Sequence, residues 1–233
     1  MSMIRIEKFI ADTTGLSRSE IKKIISKKLI KVNDKIIEKP IKIDVLADYV
    51  EYNNEQLKYE KYQYFMFNKP AGYVCANYDK NDPTIFDLIN LDREKYFSYG
   101  RLDKDTEGIL IISNDGELCH KLLNPKHHVP KKYFVQVDKK FTEEFKTTHP
   151  DIKIEDDIIS KYDYEFIDDK HCFLTIYEGK FHQVKKMLGM FGYSVLYLKR
   201  VKFGNLSLDS KMKLGDIKKL NAEELAILKN EAK

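Results

Sequence analysis

The stretch GRLDKDTEGILIISNDGEL, residues 100–118, decides how the larger part of this chain is read. Gly100 opens it. Arg101, Asp103, Lys104, Asp105 and Glu107 then place five charges in seven positions. The run Ile109-Leu110-Ile111-Ile112 follows, and Asn114-Asp115-Gly116 after it. A short apolar run closed by a turn signal predicts a buried strand, and Leu118, Leu122 and Leu123 predict a helix beyond it. The charge cluster is therefore a loop entering a core strand. Such a loop is either a salt-bridged surface connection or a place where a rigid scaffold presents reactive groups. Asp103 and Asp105 invite a glycosidase reading. However, in an extended segment they would lie only about 6.6 Å apart at Cα, and no other carboxylate pair supports the idea. A single reactive Asp needs less: one carboxylate kept ionised by a nearby cation.

Bulk properties narrow the classes. The chain has 233 residues, 42% hydrophobic, 12% aromatic and 33% charged, enough for a core in one large domain or in two smaller ones. No run approaches the roughly 18 apolar residues of a membrane span. The opening MSMIRIEKFIADTTG lacks the apolar segment of a signal peptide. Cys75, Cys119 and Cys172 stand singly, which predicts a reducing, cytoplasmic setting and no structural zinc. Among 41 basic residues only Arg5, Arg18, Arg93, Arg101 and Arg200 are arginines. The net charge is +4, but residues 18–42 carry nine basic and three acidic residues, a local +6. That excess fits a polyanion partner or a solvated face of a lysine-rich chain.

Ile6, Phe9 and Ile10 in IRIEKFIAD repeat at helical spacing. Ser17 with Glu20 forms a capping box for a second helix that buries Ile21, Ile24 and Ile25. LIKV and KII flank Asn33-Asp34, a hairpin signal. Residues 53–61, NNEQLKYEK, are polar and read as a linker. From YQYFMFNKPAGYVC onward strands alternate with helices. The expected organisation is α+β, with a domain over 1–55 and a larger one over 62–233. Val184, Met187, Leu188 and Phe191 form a helical core stripe flanked by Lys185 and Lys186. One of these lysines can point inward while the other meets solvent or phosphate. Asn221 and Glu224 cap a last packing helix carrying Leu225 and Leu228. His127, His128, His182, Cys119 and Cys172 match no metal-site spacing.

Two resemblances give these patterns a meaning. Arg5, Glu7, Lys8, Phe9, Ile10 and Ala11, then Ser17-Arg18-Ser19 and Val32-Asn33, resemble the S4-like RNA-binding domain, whose basic second helix and hairpin hold structured RNA. GRLDKDTEGILIISNDG closely resembles the signature of the pseudouridine synthases of the RsuA/RluB/E/F branch. YFMFNKPAGYVC, NPKHHVPKKYFVQV and EGKFHQVKKMLGMFGYSVLYLKRVKFGNLSLD are similar to that family's other motifs, so the resemblance runs over nearly the whole chain. It implies a catalytic domain with a mixed, mainly antiparallel sheet flanked by helices.

The resemblance also implies the chemistry. A uracil is detached from its ribose, rotated and rejoined through C5, without cofactor or metal. Asp103 attacks the ribose or abstracts a ribose proton. Tyr133 removes the C5 proton or packs against the uracil. Lys185 pairs with Asp103. Arg101 suits a phosphate or a structural carboxylate. Arg18, Lys22, Lys23 and Lys186 are the further candidates for RNA contact. Three details favour the family's small-subunit members: the form of YFMFNKPAGYVC, the doubled His127-His128, and Lys185 in HQVKKM. The implied substrate is then uridine 516 of 16S rRNA, and the implied enzyme a cytoplasmic monomer. The alternatives are a 23S rRNA enzyme of the same family, an RNA-binding or ribosome-assembly factor without catalysis, and an N-glycosidase that releases the base.

Overall fold

The computed structural model describes residues 3–154 and 156–232. Contacts within the chain divide it into two units, 1–61 and 62–233.

In the first unit β1 (Met3–Arg5) leads into α1 (Ile6–Thr14) and α2 (Arg18–Ser26). β2 (Ile30–Val32), β3 (Lys35–Ile36), β4 (Lys42–Asp44), β5 (Val50–Tyr52) and β6 (Glu55–Leu57) follow. Ile6, Phe9 and Ile10 of α1 and Ile21, Ile24 and Ile25 of α2 are all buried, so the helical spacing does set the core. Gly15, at φ +74°, ends α1 in the left-handed region that favours glycine. The capping box of α2 is formed: Ser17 N–H donates to Glu20 Oε2 at 2.8 Å, and Glu20 N–H donates to Ser17 Oγ at 3.4 Å. Strands pair in the order β3-β2-β5-β6, and β1 pairs with β4. Asn33 and Asp34, at φ +49° and +65°, make the tight turn joining β2 to β3.

Residues 53–61 are not a linker. Asn53 and Asn54, at φ +53° and +63°, turn β5 back onto β6, and Tyr59 stacks on Phe9 with centroids 5.3 Å apart. The first unit therefore continues past residue 55 to Lys61. The polar composition hid a second Asn-containing hairpin of the same kind as the first.

The second unit comprises β7 (Tyr64–Lys69), β8 (Phe97–Ser98), β9 (Glu107–Ser113), α3 (Gly116–Leu123), β10 (Lys131–Val137), α4 (Glu143–Thr147), β11 (Ile152–Ile154) and β12 (Asp157–Ile159). It continues with β13 (Tyr162–Phe166), β14 (His171–Ile176), α5 (Gln183–Met190), β15 (Val195–Phe203), β16 (Leu206–Ser207), β17 (Ile217–Lys219) and α6 (Ala222–Asn230). Its main sheet runs β13-β14-β10-β15-β9-β7-β17, with β16 beside β15 and β8 beside β9. Every pairing in it is antiparallel except β15 with β9.

The apolar run of β9 follows from this position. Leu110 and Ile112 face one core, with Phe67, Val135, Val184, Met187 and Leu188. Ile109 and Ile111 face another, with Met66, Leu118, Leu122, Phe203 and Leu228. A strand covered on both faces has no polar side to alternate with. Thus α5 covers one face of the sheet, and α3 and α6 the other. Asn114-Asp115-Gly116 does more than stop the strand. Asp115 is the N-cap of α3, accepting from Leu118 N–H at 3.1 Å, and it also accepts from Tyr64 Oη at 2.6 Å. Among the described residues no helix is long and apolar enough to cross a membrane.

Candidate active site

The loop before β9 is held from beneath. Lys69, the last residue of β7, is fully buried. Its ammonium lies 3.0, 3.1, 3.3 and 2.8 Å from the carbonyl oxygens of Pro70, Asp103, Lys104 and Thr106. Three N–H bonds are thus shared among four acceptors. Burial pushes the Lys69 pKa down, against the pull of Cys75, Asp105, Asp103 and Glu107. Gly72 N–H donates to Lys104 O at 2.7 Å, and Leu102 N–H donates to the buried Cys75 Sγ at 3.3 Å. Burial also raises the Cys75 pKa, so this sulfur is a thiol acceptor.

The strand end is held from the side. Gly108 lies opposite Arg200 in the one parallel pairing of the sheet. Its φ is +107°, and a Cβ there would stand 2.1 Å from the Arg200 carbonyl oxygen. Only glycine fits. Arg200, 3% exposed, returns a hydrogen bond from Nε to Ile109 O at 2.9 Å. Tyr197 Oη donates to Glu107 Oε2 at 2.6 Å.

So fixed, the loop turns Asp103 into a pocket that Arg101, Thr106, Tyr133, His182 and Val184 also line. Tyr133 lies in β10 between Leu174 of β14 and Arg200 of β15 and is 8% exposed. His182 Nε2 stands 3.7 Å from Asp103 Oδ1, and Lys185 Nζ stands 3.7 Å from Asp103 Oδ2.

The expected Lys185–Asp103 contact is present, and Lys185 has a second carboxylate partner as well. Lys185 Nζ contacts both oxygens of Asp105 more closely, at 2.6 and 2.7 Å. Partial burial acts to raise the Asp105 pKa, but the hydrogen bond and charge of Lys185, together with His182, outweigh it and hold the carboxyl below its ordinary value. Lys185 therefore bridges two carboxylates, with Asp105 the nearer.

The other expected contacts divide by location. Arg101 is exposed where it lines the pocket. Lys186 belongs to α5, with its ammonium 5.4 Å from the Phe181 ring centroid. Arg18, Lys22 and Lys23 are exposed residues of α2 in the first unit. Sequence reading missed Lys69, Thr106 and His182. Lys69 had a signal: a lysine directly after the apolar strand YFMFN needs a buried partner. His182 had none, because its approach to Asp103 depends on a backbone at φ +54°.

A protein family described as RNA pseudouridylate synthase matches residues 63–189, more than half of the chain, and the matched segment contains Lys69, Asp103, Tyr133, His182 and Lys185. The chain belongs to the RNA pseudouridylate synthase family. Pseudouridylate synthases are isomerases acting on RNA. Full-length relatives agree. The ribosomal small subunit pseudouridine synthase A of Haemophilus influenzae is 34% identical over 95% of this chain and 98% of its own. The RNA pseudouridine synthase YtzG of Bacillus subtilis is 36% identical over 97% and 98%. A crystal structure of a pseudouridylate synthase superposes with TM-score 0.68 at 35% identity, over 97% of this chain and 99% of that one. Within the pseudouridylate synthases the chain is of the RsuA type.

Proposed function

We propose that the protein converts one uridine of 16S ribosomal RNA, uridine 516, to pseudouridine, acting as a cytoplasmic monomer with Asp103 as its catalytic carboxylate. The observation that carries this reading is the placement of Asp103. Its loop is pinned by Lys69, and its carboxylate shares one pocket with the buried Tyr133 ring. The names of two small-subunit relatives support the choice of RNA.

The reaction is balanced without an added reagent. The N1–C1′ bond of the uridine breaks, the C5–C1′ bond forms, C5 loses a proton and N1 gains one. Asp103 either attacks C1′ as the N1–C1′ bond breaks and is displaced again as C5 bonds to C1′, or takes the C2′ proton so that the base leaves by elimination and returns that proton to C2′ as C5 bonds to C1′. Lys185, 3.7 Å from Asp103, offsets its negative charge once the base covers the pocket and water leaves, and His182 Nε2 lies at the same distance from the other carboxylate oxygen. Tyr133 supplies a flat ring for the uracil, and its hydroxyl is the candidate for C5 proton removal. The Lys185–Asp105 pair holds α5 against the loop.

A uracil inside folded RNA must be extruded, at a cost of a few kcal/mol. Contacts elsewhere on the RNA offset that cost. Arg101 and Lys186 belong to the second unit, and Arg18, Lys22 and Lys23 to an S4-like first unit whose role is to bind RNA phosphates.

The test uses purified wild-type and Asp103→Asn protein with 16S and 23S rRNA, mapping pseudouridine and assaying free uracil. The wild type is expected to modify uridine 516 of 16S rRNA alone and to release no uracil. Asp103→Asn, with an unchanged melting temperature, is expected to make no product. Turnover by a folded Asp103→Asn protein would remove the assigned role. Product only in 23S rRNA would move the enzyme to the large subunit.

A further inference from the structure

Phenylalanine is a core residue almost throughout this chain. Of its 13 phenylalanines only Phe181 is exposed, at 71%, while the rest are buried or half-buried. Its position is not loose. Lys180 N–H donates to Gln183 Oε1 at 3.0 Å, and Gln183 N–H donates back to Lys180 O at 3.1 Å. Gln183 is 2% exposed, and its amide donates to Glu178 Oε2 at 3.1 Å. His182 adopts φ +54°, uncommon for a residue with a Cβ. Its ring stacks on Phe181 with centroids 3.7 Å apart and planes 23° from parallel. The buried amide thus clamps a turn that holds two stacked rings in the open.

Those rings adjoin the Asp103 pocket. Lys180 and His182 line it, and His182 Nε2 is 3.7 Å from the Asp103 carboxylate. Two lysines flank the rings. Lys186 Nζ stands 5.4 Å from the Phe181 centroid, and Lys180 reaches Asp157 at 2.6 Å. An apolar partner would not select an exposed ring set among lysines. A nucleotide would, because its base presents a π-face and its phosphate a negative charge.

We propose that the Phe181–His182 pair is a stacking platform for the base that neighbours the target uridine in the RNA strand. This rests on the pseudouridylate synthase reading of the pocket. When the uracil leaves its stack, the adjoining base loses a neighbour, and the Phe181 ring replaces it. Stacking on an aromatic side chain accepts any base, so the platform stabilises the extruded state without specifying the flanking sequence.

The chain contains no tryptophan, so Phe181→Trp introduces a single indole at an exposed position. In protein that also carries Asp103→Asn, a 16S rRNA fragment containing the target uridine is expected to quench that indole. An abasic site immediately 5′ or immediately 3′ of the uridine is expected to abolish the quenching, in one of the two positions only. In otherwise wild-type protein, Phe181→Ala is expected to raise KM by roughly 5- to 150-fold with a much smaller fall in kcat, and Phe181→Tyr to restore KM. Thermal melts of each variant should coincide with the wild type. Quenching that survives both abasic sites, or a wild-type KM in Phe181→Ala, would overturn the platform while leaving the isomerase intact. A wild-type protein that makes no pseudouridine in any rRNA would overturn the isomerase reading and the platform with it.

Discussion

Lys69 and Lys131 are the lysines buried among the described residues, and their surroundings differ. Lys69 answers four carbonyls. Lys69→Met would leave those oxygens without a donor, at about 1–3 kcal/mol for each one that finds no water. The expected result is a destabilisation of roughly 2–5 kcal/mol in a thermal or urea melt. Pseudouridine formation should also fall by more than tenfold, because the Asp103 loop loses its floor. Lys131 opens β10, 5.9 Å from the Phe203 ring centroid. Burial and the charge of Arg200 push its pKa down to about 8, against the pull of Glu178. A folded-state pKa below the unfolded 10.5 means that the folded protein bears a cost while the group is charged. Between about pH 8 and 10.5 the unfolded chain binds more protons, so stability from this group rises with pH, by about 3 kcal/mol over the window. Lys131→Met lacks that titration. It should melt above the wild type at pH 7, and the difference should shrink as pH rises through 8 to 10.5. A difference independent of pH would refute the assignment.

At the scale of elements, the site depends on the one parallel pairing. Gly108→Ala would drive a Cβ to 2.1 Å from the Arg200 carbonyl and force φ +107° on a residue that avoids it. The expected loss exceeds about 4 kcal/mol, seen as a collapse of soluble yield or of the melting temperature. The strand itself was legible, because Ile109–Ile112 is apolar on both faces. The requirement for Gly108 was not, since its partner lies in a distant segment. The stripe Val184, Met187, Leu188 and Phe191 was legible for the same reason as the strand: periodicity reports which face is buried. It does not report where a lysine beside the stripe ends. Lys185 reaches Asp105 more closely than Asp103, and a difference of about an ångström between neighbouring carboxylates leaves no mark on sequence spacing.

At the scale of the whole molecule, each unit has its own core, and the basic excess belongs to the first. Lys22 and Lys23 are exposed on α2, so Lys22→Ala with Lys23→Ala should leave the melting temperature unchanged. If both contact phosphate, the log–log dependence of RNA affinity on salt should flatten by about 1.4, at about 0.7 per contact with single-stranded RNA. A filter-binding series across salt concentrations measures it, and an unchanged slope would remove the α2 lysines from the interface. The α+β class and the break near residue 61 were legible from the change in pattern after NNEQLKYEK. The hairpin inside that stretch was not, because Asn53-Asn54 lies between strands of three residues each, too short for alternation to register. Strand order was beyond reach as well: pairing β9 with β15 is a fact about tertiary topology rather than local pattern.

That pairing also sets a clock on synthesis. The Arg200 hydrogen bond to Ile109 spans 91 residues. At a translation rate of about 5–20 residues per second, β15 leaves the ribosome roughly 5–18 s after β9. During that interval β7 and Lys69 are available to the nascent Asp103 loop, but the lateral strand is not. Closure of so long a segment also places this contact among the late steps of folding. A chain stalled before β15 would carry every residue of the signature loop without the strand that holds it from the side, so the loop reaches its final form only after β15 has been made.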